Sequence, residues 1–193
     1  MMTRIIAGSR GGRRLTMPPG DQTRPTSSKV REALFSSLAS WTGGSSGPAD
    51  VALKGWAFCD LFAGSGAVGL EAASRGAAPV MLVESSRRAL RTIEQNVAAV
   101  DLEVEIRRDA IQDLVRRQSP YPFDIVFLDP PYELANGAIE AILRDLVAND
   151  WLTGEGLVVL ERSSREPAPH WPDALSDTWE KKYGETVLYF GAG

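Results

Sequence analysis

Asp60-Leu61-Phe62-Ala63-Gly64-Ser65-Gly66-Ala67-Val68-Gly69 is a glycine-rich turn set between two apolar runs. The run leading into it, Trp56–Phe62, reads as a buried strand, and the run leaving it, Val68–Arg75, as a helix. Glycines at such a turn let a ligand come close to the backbone, and the helix N-terminus presents free N–H groups to it. Gly64, Gly66 and Gly69 also match the dinucleotide spacing G-x-G-x-x-G, so the glycines alone fit a nicotinamide cofactor equally well. What the stretch predicts about fold is a strand–turn–helix unit of an α/β sheet.

The same alternation continues outward from it. Pro79–Glu84 reads as a strand and Arg87–Val100 as a helix, then Val104–Arg107 as a strand and Ile111–Gln118 as a helix. Phe123–Leu128 is a strongly apolar strand, Ala138–Asn149 a helix and Gly156–Glu161 another strand. Strands alternating with helices predict a mostly parallel sheet covered on both faces. The end of the chain breaks the pattern. Thr178–Tyr183 and Thr186–Phe190 flank only Gly184-Glu185, so these two strands must pair antiparallel.

Acids stand at the ends of three successive strands. Asp60 lies four residues before Gly64, where a carboxylate meets the ammonium of a methionine moiety and where a pyrophosphate is unwelcome. Glu84 is placed to take two ribose hydroxyls, and Asp109-Ala110 to accept from an adenine amino group. With the loop residues Phe62, Ala63, Gly64, Ser65 and Gly66, and with Ser85, they form a candidate S-adenosylmethionine site.

Asp129-Pro130-Pro131-Tyr132 follows Phe123–Leu128 directly, at a strand C-terminus where open α/β sheets bind ligands. An exocyclic amine on a base is a poor nucleophile, because its lone pair is conjugated with the ring. The Asp129 carboxylate and the Pro130 carbonyl can each accept one N–H and aim that lone pair at a methyl group. Proline lacks an N–H and has a fixed φ, which keeps the loop rigid. Tyr132 offers a face for a base to stack on. A base held in a folded nucleic acid must be extruded to reach it.

The chain has 193 residues, 44% hydrophobic and 24% charged, as one globular domain with a small appendage would. One cysteine, Cys59, and one histidine, His170, predict neither a disulfide nor a structural zinc. Cys59 falls inside a strand and reads as packing, as do Trp171 and Trp179, while His170 reads as a surface residue. No signal-peptide pattern or membrane-length apolar run is present, and a cytoplasmic monomer is the expectation.

The net charge is −4, yet residues 1–31 carry seven basic residues against one acid and residues 32–193 fourteen against twenty-four. Arg4, Arg10, Arg13, Arg14, Arg24, Lys29 and Arg31 are therefore candidate contacts to a polyanion. All but Arg24 lie on a short hairpin, residues 4–15, or on a helix from about Thr26 or Ser27 to Trp41. Residues 42–50, rich in Gly and Ser, read as a flexible linker dividing an extension, residues 1–50, from the main domain, residues 51–193.

Arg4-Ile5-Ile6-Ala7-Gly8, Gly12-Arg13-Arg14-Leu15, Thr23-Arg24-Pro25-Thr26 and Lys29-Val30-Arg31-Glu32-Ala33-Leu34-Phe35 resemble the RsmD-type family over essentially the whole chain. These are class I methyltransferases that act on guanine N2 in small-subunit (16S) ribosomal RNA. The resemblance implies a Rossmann-like sheet of seven strands with the last one antiparallel. It implies that Arg24, Pro25 and Thr26 cover S-adenosylmethionine and that the basic hairpin touches RNA within a small subunit or its assembly intermediate. Where many relatives carry an acid two residues after the ribose-binding Glu, this chain has Ser86, which can still cap a helix. The tetrapeptide itself does not separate guanine N2 from adenine N6. A nicotinamide oxidoreductase leaves the Pro-Pro loop unexplained, and a non-catalytic RNA-binding assembly factor leaves the acids unexplained.

Overall fold

The computed structural model describes residues 2–18 and 27–193, apart from the side chain of Met2. Two short strands, β1 (Met2–Arg4) and β2 (Arg14–Thr16), form an antiparallel hairpin, followed by helix α1 (Ser28–Trp41). Ser27 caps α1 by accepting from the backbone N–H of Val30 at 3.2 Å.

The body then runs β3 (Phe58–Leu61), α2 (Ala67–Ser74), β4 (Val80–Val83), α3 (Arg87–Val100) and β5 (Glu105–Arg107). It continues with α4 (Ile111–Leu114), β6 (Phe123–Leu128), α5 (Asn136–Ala148), β7 (Leu152–Ser163), β8 (Asp177–Tyr183) and β9 (Thr186–Ala192). The seven strands from β3 to β9 form one sheet in the order β5-β4-β3-β6-β7-β9-β8. All neighbours are parallel except β9, which runs against both β7 and β8. The short Gly184-Glu185 turn forces this reversal, as the sequence predicts.

Side chains alternate across the sheet with the period of two that strands impose. Phe58, Leu82, Phe127 and Val159 face one core with α1, α2 and α3. Cys59, Met81, Val126 and Val158 face the other with α4 and α5. Ile5 and Leu15 of the hairpin region, and Leu34, Phe35 and Leu38 of α1, are fully buried in the first of these cores. The N-terminal part thus shares its hydrophobic core with the sheet.

Two expectations change. The segment predicted as a helix over 111–118 is helical only to Leu114. Past Val115 the ladder tightens, with the Arg117 N–H bonding three residues back to the Leu114 carbonyl, and the turn is held from outside where Asn149 Nδ2 donates to the Val115 carbonyl and Trp151 Nε1 to the Arg117 carbonyl, both at 2.9 Å. The stretch 42–50, read as a flexible linker, contains two 3₁₀ turns, Gly44–Ser46 and Ala49–Val51. A Cβ on Gly44 would sit 2.2 Å from the Ala52 carbonyl oxygen, so glycine there serves close packing.

The hairpin is anchored by polar groups of the body. Glu71 of α2 is fully buried and accepts from the N–H groups of Ile6 and Ala7 at 2.6 and 3.0 Å and from Arg75 Nε at 2.8 Å. Ser74 accepts from Arg10 N–H and donates to the Ala7 carbonyl. Replacing Glu71 by Ala leaves two backbone donors and one guanidinium without their acceptor in the interior. The expected loss of stability is about 3 kcal/mol, read as a drop in the urea midpoint, with Glu71→Gln intermediate. An unchanged midpoint in Glu71→Ala would contradict this anchoring role.

Candidate active site

The site follows from strand register. Leu61 of β3 is paired with Leu128 of β6 and with Val83 of β4, so the three C-terminal loops leave the sheet side by side. The chain builds outward from β3 to β5 and then returns to place β6 against β3, which makes this edge a topological switch point. A cavity of about 450 Å³ opens there, within the size range of small-molecule sites. Asp60, Glu84 and Asp129 all line it.

The glycine turn is shaped by packing and by backbone conformation. Gly66 has φ +78° and caps the start of α2. A Cβ on Gly69 would lie 2.0 Å from Leu82 Cδ2, so the third glycine lets α2 sit on β4. Phe62 lines the cavity with φ +69°, an unusual conformation for a bulky residue and a local store of strain. Asn96 of α3 fixes the turn from behind, donating to the Ser65 carbonyl and exchanging two hydrogen bonds with Thr16 of the hairpin.

Asp60 is 1% exposed and accepts from the Gly69 N–H at 2.9 Å. Burial raises its pKa to about 8; the Gly69 hydrogen bond opposes this, while the charges of Asp129 and Glu84 add to it. Glu84 accepts from the Gly64 N–H at 2.9 Å and from the Ser86 N–H at 2.8 Å, so its carboxylate is fixed at the edge of the turn. Ser86 caps α3 through Ala89 N–H, and Ser85 also lines the cavity, as do Ala63, Gly64 and Ser65.

Asp129, Pro130, Pro131 and Tyr132, on the loop after β6, line the same cavity. The Tyr132 side chain is 57% exposed, a large aromatic left open at the rim. Arg162 of β7 is 4% exposed and donates to the Leu134 carbonyl at 3.3 Å, tying down the far end of this loop. Cys59 is fully buried among apolar residues, and burial pushes its thiol well up, which suits packing and not nucleophilic attack. Trp179 stacks on Phe190 at 5.0 Å, and Trp171 packs on the second core.

Other predicted site residues lie elsewhere. Asp109 and Ala110 are not among the cavity's lining residues, where Gln112 stands instead; Asp109 pairs with Arg117 at 2.8 Å. Arg24, Pro25 and Thr26 lie outside the described residues. Of the candidate polyanion contacts, Arg31 requires correction. It is 1% exposed, lines the cavity, and donates to the Arg4 carbonyl and to Thr3 Oγ1. Its spacing from Phe35 and Leu38 places it on the buried stripe of α1, a signal that counting charge by segment overlooks. Arg10 is also committed, donating to the Val100 and Asp101 carbonyls at the end of α3. Arg4, Arg13, Arg14 and Lys29 are exposed, and no ion pair involving them forms among the described residues. Thr3, Met17 and Pro18 also line the cavity, a contribution of the hairpin that no sequence motif announces.

The cavity joins carboxylates able to meet the ammonium and hydroxyl groups of a methionine-bearing nucleoside to a proline-stiffened loop able to accept from an amine. With that pairing at the switch point of a seven-stranded sheet whose β9 alone is reversed, the protein is a class I methyltransferase. The family model described as Conserved hypothetical protein 95 matches residues 3–192, and the chain belongs to that family. It is 36% identical over 186 residues to Ribosomal RNA small subunit methyltransferase D of Escherichia coli K12, covering 95% of this chain and 86% of that one. It is 31% identical over 189 residues to a protein of Bacillus subtilis named Putative rRNA methyltransferase YlbH, covering 95% of each. The solved structure described as Putative methyltransferase yhhF from Escherichia coli superposes with a TM-score of 0.82 at 29% identity, covering 100% of this chain and 98% of that one.

Proposed function

We propose that the protein transfers a methyl group from S-adenosylmethionine to the exocyclic N2 amine of a guanine in 16S ribosomal RNA. The observation that carries this is that Asp129-Pro130-Pro131-Tyr132 line one cavity together with Asp60, Glu84 and the glycine turn. The names borne by the curated relatives support ribosomal RNA as the bearer of the amine.

The residues present fit the cofactor. Two of the lining acids face its cationic and hydroxyl groups: Asp60 would hold the ammonium and Glu84 the ribose hydroxyls. The backbone of Phe62 to Gly66 would lie along it. Gln112, with Asp109 and Ala110 beside it in sequence, would stand at the adenine end, and Arg24, Pro25 and Thr26 would cover the ligand. When bound, S-adenosylmethionine supplies an electrophilic methyl group on a sulfonium. The protein's own part is positioning and electrostatics. Asp129 and the Pro130 carbonyl accept the two N–H bonds of the target amine, and Tyr132 stacks on its base. Asp129 takes up the proton that the nitrogen loses.

In this reading the 1–50 extension has two roles. The inner face of the hairpin closes the cavity through Thr3, while its outer face, with Arg4, Arg13, Arg14 and the nearby Lys29, contacts phosphate. Arg4 and Arg14 are direct cross-strand partners. Like charges placed opposite one another oppose folding, so the pair suits a polyanion partner better than it suits stability. The protein acts as a cytoplasmic monomer on the small subunit or an assembly intermediate.

Asp60 makes cofactor affinity depend on pH. A cationic ligand favours the ionised carboxylate, so binding below about pH 8 releases a proton and affinity rises with pH. Above about pH 8 the ligand's own α-ammonium titrates and affinity falls again. Calorimetric titration should find a maximum near pH 8, with the rising limb lost in Asp60→Asn. A profile flat from about pH 6 to 8 would contradict the assignment.

Substrate is tested by labelled methyl transfer to three acceptors: small subunits from a strain lacking this protein, free 16S RNA, and duplex DNA. Label is expected in the subunits and absent from DNA. Transfer to DNA alone would overturn the reading.

A further inference from the structure

Among the described residues Arg31 is the one cation lining a cavity that also presents Asp60, Glu84 and Asp129. Its guanidinium is held from the hairpin side, where one terminal nitrogen donates to the Arg4 carbonyl at 2.6 Å and to Thr3 Oγ1 at 3.2 Å. Its Nε is buried and has no hydrogen-bond partner among the described residues. An arginine has five N–H donors, and an interior site that leaves donors unmatched is incomplete without an acceptor. Burial lowers its pKa, and the charge of Glu71, on the second turn of α2, opposes that effect. Arg31 is bonded to Thr3 and Arg4, and two residues further on Ile6 and Ala7 are bonded to Glu71, so the guanidinium lines the cavity from the side where the hairpin meets α2.

Resting on the cofactor reading above, we infer that Arg31 recognises the α-carboxylate of the methionine moiety, as Asp60 recognises its ammonium. The ligand's amino-acid end is a zwitterion, and a wall of acids alone would reject its negative half. A guanidinium pre-positioned by β1 supplies the matching charge, and a charge-assisted hydrogen bond to a carboxylate, with little ordering cost. The hairpin that displays basic residues outward would then also hold a cofactor-binding residue inward, through the Arg4 carbonyl.

Decarboxylated S-adenosylmethionine keeps the sulfonium and the ammonium and lacks only the carboxylate. Titration of the intact protein should show S-adenosylmethionine binding about 10- to 100-fold tighter than the decarboxylated ligand. In Arg31→Met that preference should shrink to within about threefold, with affinity for the decarboxylated ligand little changed. Arg31→Lys should retain part of it. Equal affinity of the wild-type protein for the two ligands overturns the inference without recourse to any variant. So does an equal loss for both ligands in Arg31→Met, which would mark a purely structural partner of Glu71. A fall in RNA affinity with the ligand preference intact would return Arg31 to the nucleic acid. If the wild-type protein binds neither ligand, the cofactor reading itself fails, and the inference with it.

Discussion

Asp129→Ala is expected to slow methyl transfer by about 10³-fold or more while leaving S-adenosylmethionine affinity within about threefold of wild type. The asymmetry follows from where Asp129 stands. It lines the cavity on the strand β6 side, whereas the groups proposed to anchor the cofactor sit on β3 with the turn after it and at the end of β4. An amine conjugated with a purine ring reacts only if its lone pair is turned out of that conjugation. That demands two acceptors in fixed positions, and Pro130 and Pro131 make one of them rigid. Removing the carboxylate deletes the other acceptor, which matters most as positive charge develops on nitrogen. Asp129→Asn keeps an acceptor oxygen and loses the charge, so its rate should fall between the two. Single-turnover transfer to small subunits, with cofactor affinity titrated in parallel, reads both quantities. Asp129→Ala retaining a rate within tenfold of wild type would remove Asp129 from the mechanism.

Replacing Arg4, Arg13, Arg14 and Lys29 together by Gln should weaken RNA binding by about 10²- to 10³-fold near 0.1 M salt. Each phosphate contact to single-stranded nucleic acid contributes about 0.7 to the slope of log affinity against log salt, so four contacts contribute close to three. The slope should fall by that amount, and the maximal rate at saturating RNA should not change, since none of the four residues lines the cavity. Arg10 is the control. Its side chain is spent on the carbonyls of Val100 and Asp101, so Arg10→Gln should lower stability and leave the salt slope alone. An unchanged slope in the fourfold variant would make the hairpin's outer face an ordinary solvated surface.

What could be read in advance depended on whether local pattern or distant contact decides each element. Phe123–Leu128 is delimited to the residue, because a buried parallel strand is a continuous apolar run with polar flanks. Helix α3 is likewise complete, from its Ser86 cap to Val100. Helix α4 is not, because its end turns at Leu114 and that turn is held by Asn149 and Trp151, more than thirty residues away. In the site, Asp60, Glu84 and Asp129 are legible because each ends a strand at the switch point. Thr3, Met17 and Pro18 are not, since only the docking of the hairpin on Glu71, Ser74 and Asn96 brings them to the cavity. Arg31 was legible through its helical spacing with Phe35 and Leu38, yet its charge draws the eye to a surface role. Asp109 sits on the strand end where an adenine-binding acid is expected, and its pairing with Arg117 turns it toward a neighbour eight residues on.

Guanine N2 and adenine N6 both present the amine that the Asp129 loop is proposed to methylate, and the tetrapeptide does not choose between them. Small subunits from a strain lacking this protein, incubated with it and labelled S-adenosylmethionine, can be digested to nucleosides and separated. The account predicts that label appears as N2-methylguanosine at a single position of 16S RNA and is absent with Asp129→Ala. Label recovered as N6-methyladenosine would contradict it.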